Sequence, residues 1–149
     1  MLYFLDTSAL VKRFRTEIGT DVVDRLFDDQ VNTLVISSLS LAETARALDT
    51  HVRRGEISLG DARLTLARLY AECRADSLTL VDLHRDHVFR ANDFILEFHL
   101  TTADALILAT ALHLAPEALV FVCADTRSGL LEAAEASGLS TLNPLSPPS

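Results

Sequence analysis

Apolar residues fall along the chain in two alternating patterns. Short apolar runs at Leu2–Leu5, Leu34–Ile36, Leu78–Leu83 and Leu119–Cys123, with a weaker one near Leu142, have the length of strands, and Leu2–Leu5 reads as buried on both faces. Between them the apolar positions recur three and four apart. Ala9, Leu10, Val11 and Phe14 open a helix after the turn Asp6-Thr7-Ser8, and Val22, Val23, Leu26 and Phe27 fit one face of a second. Leu41, Ala45, Leu48 and Val52 predict a third that ends near Gly55. Leu59, Ala62, Leu66, Leu69, Tyr70 and Cys73 keep the same spacing over a longer stretch, with Arg63, Arg68 and Arg74 mostly on other faces. Val88, Ala91, Phe94, Ile95 and Phe98 form another stripe, and the nearly all-apolar segment from Ala105 to Leu114 predicts a buried helix.

Strands separated by helices are too far apart for hairpins, which predicts a parallel sheet covered on both sides. The chain has 149 residues, enough for one domain with a sizeable core. It shows neither an internal repeat nor a linker, so the domain is expected over residues 1–143. The segment 144–149 has no periodicity and three prolines, and reads as a flexible tail. No apolar stretch has the length of a membrane helix. Asp6 interrupts the first apolar run and no basic segment precedes it, so a signal peptide is not expected. Cys73 and Cys123 have no metal-site spacing and are expected to be reduced thiols of a cytoplasmic protein.

The net charge is −8, which argues against general attraction to phosphate backbones. All of the basic residues except Lys12 are arginines, however, and several are grouped: Lys12, Arg13 and Arg15, then Arg46, Arg53 and Arg54. The guanidinium fork suits phosphate, although a solvated helix face explains any one of these residues equally well. His84 and His87 read as a surface pair at a strand-to-helix junction, and His51 as solvated helix surface.

Four acids carry the candidate chemistry. Asp6 ends the first strand, Asp125 follows the fourth, Glu43 lies in SLSLAET and Asp104 in TTADALILATAL. Each has an ordinary explanation. Ser40-x-x-Glu43 and Thr101-x-x-Asp104 fit capping boxes, while Asp6 and Asp125 each suit the N-cap of a following helix. Together they point further, because in a parallel α/β sheet the strands' carboxyl ends and the helix starts share one edge, where ligands bind. Four carboxylates converging there repel one another unless protons or cations intervene. Hard oxygen donors without Cys or His suit Mg²⁺ or Mn²⁺ rather than zinc.

The combination of DTSAL after an N-terminal strand, the Glu of SLSLAET, DALILATAL and a final strand closing on VCAD resembles the PIN domain, and more narrowly the VapC-type toxin ribonucleases. The resemblance runs from Leu2 to about Asn143. It implies a PIN-like three-layer α/β/α sandwich with a central parallel sheet of four to five strands. It also implies that Asp6, Glu43, Asp104 and Asp125 form a metal-binding catalytic site, with Asp6 and Asp104 as the most direct ligands. Ser8 matches the small hydroxyl residue that orders such a site. Cys123 departs from the pattern, since that position is often Thr or Ser and a thiol is a weaker hydrogen-bonding partner.

The activity implied is hydrolytic endonucleolytic cleavage of RNA dependent on Mg²⁺ or Mn²⁺. The partners implied are the RNA substrate, a cognate VapB-like antitoxin and a second copy in a homodimer. A non-catalytic PIN-like module that binds RNA or protein remains the alternative. A haloacid-dehalogenase-like phosphatase would need an acid at the position of Ser8, and a receiver domain a vicinal acidic pair near Asp6; both fall behind.

Overall fold

The computed structural model describes residues 1–114 and 118–146. Its sheet holds five parallel strands, β1 (Leu2–Leu5), β2 (Thr33–Ser37), β3 (Thr79–Val81), β4 (Leu119–Val122) and β5 (Ser140–Leu142), in the order β3-β2-β1-β4-β5. The helices are α1 (Thr7–Leu10), α2 (Thr20–Asp28), α3 (Ser38–Arg53), α4 (Leu59–Arg74), α5 (Arg85–Phe98), α6 (Thr102–His113) and α7 (Leu130–Ala136), with a 3₁₀ turn at Val11–Arg13. The three-layer α/β/α architecture with a parallel sheet is the one expected from the strand and helix patterns.

Side-chain alternation along the strands divides the core in two. Phe4, Val35 and Phe121 point to one face, where they pack with α5, α6 and α7 through Ala91, Phe94, Leu108 and Leu130. Leu5, Leu34, Ile36 and Val122 point to the other, against α1, α2 and α4 through Leu10, Val23 and Leu69. Both faces being covered is what makes β1 and β4 unbroken apolar runs. Phe4 and Phe121 are directly paired across β1 and β4, and their rings stack with centroids 5.9 Å apart. This stack fixes the relative height of the two strands that end on Asp6 and just before Asp125.

α6 is apolar on all sides because it lies within the core, with Ala105 and Ile107–Leu112 all buried. Among the described residues no single helix is long and apolar enough to cross a membrane.

One local feature departs from expectation. His87 is buried, not a surface residue: its Nδ1 accepts the His84 N–H (3.1 Å) at the start of α5, and its ring meets His113 edge-on. Burial, with His113 and His84 nearby, holds His87 below the usual histidine range. The unfolded chain therefore takes up a proton below about pH 6.5 that the native state refuses, so stability falls as pH drops through that region. His87→Gln keeps an acceptor at the third helical position. Its acid-side loss of melting temperature is expected to be shallower than that of the wild type, as thermal melts from pH 7 to 5 would show.

Of the segment 144–149, residues 147–149 lie outside the described residues. Pro144 is buried and sits against Gly19, the N-cap of α2. Gly19 has φ +88°, and a Cβ there would stand 2.8 Å from the Pro144 carbonyl oxygen. Only glycine meets both demands.

Candidate active site

The chain reverses its direction of sheet growth at β1, so β1 and β4 flank the switch point of the sheet. Asp6 and Asp125 stand at or just beyond the carboxyl ends of those two strands. A cleft of about 460 Å³ opens there, lined by Asp6, Ser8, Glu43, Asp104 and Asp125, among others. All five residues singled out from the sequence thus meet in one place.

Asp6 is 3% exposed and caps α1. Its Oδ2 accepts the Ser8 amide N–H (3.0 Å), the Ser8 hydroxyl (2.6 Å) and the Cys123 thiol (3.7 Å). Capping and cleft-lining are therefore the same arrangement. Ser8 Oγ in turn accepts the Ala124 N–H at 2.9 Å, which ties the turn after β1 to the segment after β4. The Cys123 thiol also lies 3.7 Å from the Asp125 carbonyl oxygen, so its one proton serves two acceptors at long range. Burial pushes that thiol up to about 12, and it stays protonated as a donor.

Asp104 is the third residue of α6, and its N–H is accepted by the Thr101 hydroxyl at 3.2 Å. That half of the predicted capping box is present. Two other capping expectations are corrected. α3 starts directly from β2 with Ser37 as its cap, which places Ser40 inside the helix with a buried, unpartnered hydroxyl and Glu43 in its second turn. Asp125 does not cap α7, whose N-cap is Gly129; its Oδ1 accepts the Arg127 N–H (2.8 Å) and shapes the intervening loop.

The electrostatics follow from this placement. Burial raises the Asp6 carboxyl above its ordinary range despite the bonds from Ser8 and Thr7. Asp104 is pushed up to about 6, first by burial and then by the charges of Asp6, Asp125 and Glu43. Among the described residues none of the four enters an ion pair. The cleft is an accumulation of negative charge without a protein countercharge in contact.

No three Asp, Glu, His or Cys side chains among the described residues stand closed around a point as in an all-protein metal cage. The donor set nevertheless fits a hard divalent cation that keeps several waters and takes only one or two carboxylates directly.

Lys12 and Glu17 also line the cleft, and sequence spacing gave no sign of their pairing. Lys12 is buried, donating to Glu17 Oε1 (2.9 Å) and to the Ile18 carbonyl (2.8 Å). Arg13 is bound to Asp24 (3.0 Å) and Glu72 (3.4 Å). Two members of the first basic group therefore hold the fold together and present no free basic surface. In the next group Arg46 lines the cleft, Arg53 and Arg54 line a depression beside it, and all three are exposed.

The PIN-domain family model matches residues 3–127, and the chain belongs to the PIN-domain family. It is 32% identical over 130 residues to a Mycobacterium tuberculosis protein named Ribonuclease VapC45, covering 85% of each chain. Among solved structures it is similar to VapBC2 from Rickettsia felis bound to a promoter DNA fragment, with a TM-score of 0.64, 17% identity and coverage of 96% and 98%. It is equally similar in fold to VapC20 of Mycobacterium tuberculosis, described as a sarcin-ricin-loop-cleaving toxin, with a TM-score of 0.64, 16% identity and coverage of 98% and 99%.

Proposed function

We infer that this PIN-domain protein is a divalent-metal-dependent endoribonuclease that hydrolyses RNA phosphodiester bonds, and the toxin of a VapBC-type toxin–antitoxin pair. The observation that carries the reading is the convergence of Asp6, Glu43, Asp104 and Asp125, from four separate parts of the chain, on one cleft where none of them enters an ion pair among the described residues. The curated relatives named as VapC ribonucleases support it.

Asp6 and Asp104 are assigned as direct ligands of Mg²⁺ or Mn²⁺, with Glu43 and Asp125 completing the site. When bound, the cation supplies Lewis acidity: it makes water a nucleophile at neutral pH and balances charge on the scissile phosphate. Glu43 or Asp125 accepts a proton from the attacking water. Ser8 touches no reacting atom; its two bonds to Asp6 Oδ2 and its bond from Ala124 fix the carboxylate in place. The test is cleavage of total cellular RNA by the purified protein with Mg²⁺, Mn²⁺ or EDTA. Discrete fragments that vanish with EDTA are expected, whereas metal-loaded protein that binds RNA and cuts nothing would favour the non-catalytic module.

Cys123 gives a finer check. Loss of a group that orients a ligand typically costs about 10–100-fold in metal affinity or activity. Cys123→Ala is expected near the lower end, about 10-fold in Mn²⁺ affinity, because a 3.7 Å thiol bond is weak. Cys123→Ser, which keeps a donor, is expected to retain the wild-type value by titration calorimetry. Equal loss in both variants would assign Cys123 to packing alone.

A cognate VapB-like antitoxin is the expected protein partner. The α3–α4 pair is its proposed docking surface, with Leu59, Leu64 and Tyr70 exposed on α4. A basic side chain from the antitoxin would suit the acidic cleft. A homodimer is proposed through α5, where Val88, Phe89 and Leu96 are exposed. The protein is placed in the cytoplasm, where both the RNA and an antitoxin would be met.

A further inference from the structure

The face of α3 beside the cleft continues past the four acids. Glu43, Arg46, Ala47, Thr50 and His51 all line the cleft, at the three- and four-residue spacing that keeps side chains on one side of a helix. A neighbouring depression of about 340 Å³ is lined by Thr50, Arg53 and Arg54 and shares Thr50 with the cleft. The two hollows therefore lie side by side, with Thr50 in the wall of both. From Glu43 to Arg54 the helix advances about 16 Å, at about 1.5 Å per residue.

The charges along this path change sign. It begins among carboxylates and ends among guanidinium groups. Among the described residues Arg46 and Arg54 enter no ion pair. Arg53 has only a 3.9 Å approach to Asp49 between two exposed side chains, a contact worth little. Glu56 is taken by His51, and it also feels Arg54 and Arg15. A helix C-terminus favours arginine in any protein, which accounts for Arg53 and Arg54 taken alone. It does not account for Arg46, in mid-helix one turn from Glu43.

We propose that this face of α3 is the bed for the RNA strand flanking the cleavage site, with Arg46 and Arg54 gripping two separate backbone phosphates. The assignment rests on the ribonuclease reading and adds to it the direction in which substrate leaves the cleft. A nucleic acid fits both ends of the path: one phosphate meets the acids through the divalent cation, and its neighbours meet guanidinium forks that bind phosphate bidentately. An acidic peptide matches only the arginine end, because the four carboxylates repel it. In a chain of net charge −8 this strip provides a local attraction that the whole molecule lacks.

The test is the salt dependence of RNA cleavage by the full chain with Mg²⁺, using total cellular RNA as probe. Each phosphate contact to a single strand contributes about 0.7 to the slope of log affinity against log salt. The double variant Arg46→Ala/Arg54→Ala is expected to lower the slope of log kcat/KM by about 1.4, to raise apparent KM about 10-fold at physiological salt, and to leave kcat near wild type. Arg46→Lys/Arg54→Lys should restore most of the slope, which shows that charge and not helix packing is responsible. Arg63→Ala, exposed on α4, should change nothing.

An unaltered slope and KM in the double alanine variant, with wild-type cleavage intact, overturns the proposal alone. Unaltered RNA kinetics combined with weakened inhibition by the antitoxin also overturns it, and assigns the strip to the protein partner. Absence of metal-dependent cleavage by the wild type overturns the ribonuclease reading and this one together.

Discussion

Asp6→Asn is expected to lower metal-dependent RNA cleavage by about 10³-fold or more while leaving the protein folded. A cation at such a site contributes several kcal/mol of transition-state stabilisation, and each 1.36 kcal/mol is tenfold in rate. Asparagine has nearly the same shape, and its amide oxygen can still accept the Ser8 N–H and hydroxyl that now converge on Oδ2. The cap of α1 therefore survives. Asp6 is 3% exposed, and its carboxyl is already raised by burial, so a neutral side chain is tolerated at least as well as an ionised one. Chemistry is lost without loss of fold. The comparison needs fragment yields in Mg²⁺ and a thermal melt of each protein. Cleavage within tenfold of wild type, with the same response to EDTA, would remove Asp6 from the ligand set.

How far the sequence can be read here depends on whether each feature is decided locally. β1, β2 and β4 are legible because burial on both faces leaves a compact apolar run in each. β3 is shorter than its run, Thr79–Val81 within Leu78–Leu83, because it forms the sheet edge where Leu80 is partly exposed. The start of α3 is ambiguous in the sequence because Ser37, Ser38 and Ser40 all suit a cap, and only the register of β2 chooses among them. A cap at Asp125 stays open in the sequence because the loop between β4 and α7 leaves no periodic trace.

The acids themselves are marked by position. Asp6 and Asp125 interrupt or follow apolar runs, which a local reading detects. Asp104 is different, because α6 follows α5 and not a strand, so alternation alone does not bring its start to the carboxyl edge. The turn at His99, with φ +56°, and the packing of α6 beneath the sheet do that. His87 and the Lys12–Glu17 pair escaped for the same reason: each is settled by contacts between elements. What the sequence records well is which residues could react, and what the fold adds is which of them meet.

The charge stored in the cleft leads to the second large effect, an increase in stability on removing a functional group. Asp104 has a native pKa of about 6 against an ordinary value of 3.8, so between about pH 4 and pH 6 the native state holds a proton that the unfolded chain has released. The metal-free protein is therefore expected to lose stability as pH rises through that interval and to stay at the lower level above it. The difference corresponds to about 3 kcal/mol at most, and partial exposure of Asp104 reduces it to about 1–2 kcal/mol. Asp104→Asn removes this penalty, and in EDTA at pH 7.5 its melting temperature is expected to exceed that of wild type by about 3–6 °C. Mg²⁺ or Mn²⁺ should stabilise the wild type by mass action and do much less for Asp104→Asn. The order of the two proteins then narrows or inverts when cation is added. A variant less stable than wild type in EDTA at pH 7.5 would mean that Asp104 serves the fold and not the cation. Equal cation-induced shifts in both proteins would place the binding site elsewhere. The combination expected here, a weaker fold without metal and a stronger one with it, is the signature of carboxylates assembled for a charge that the chain does not itself provide.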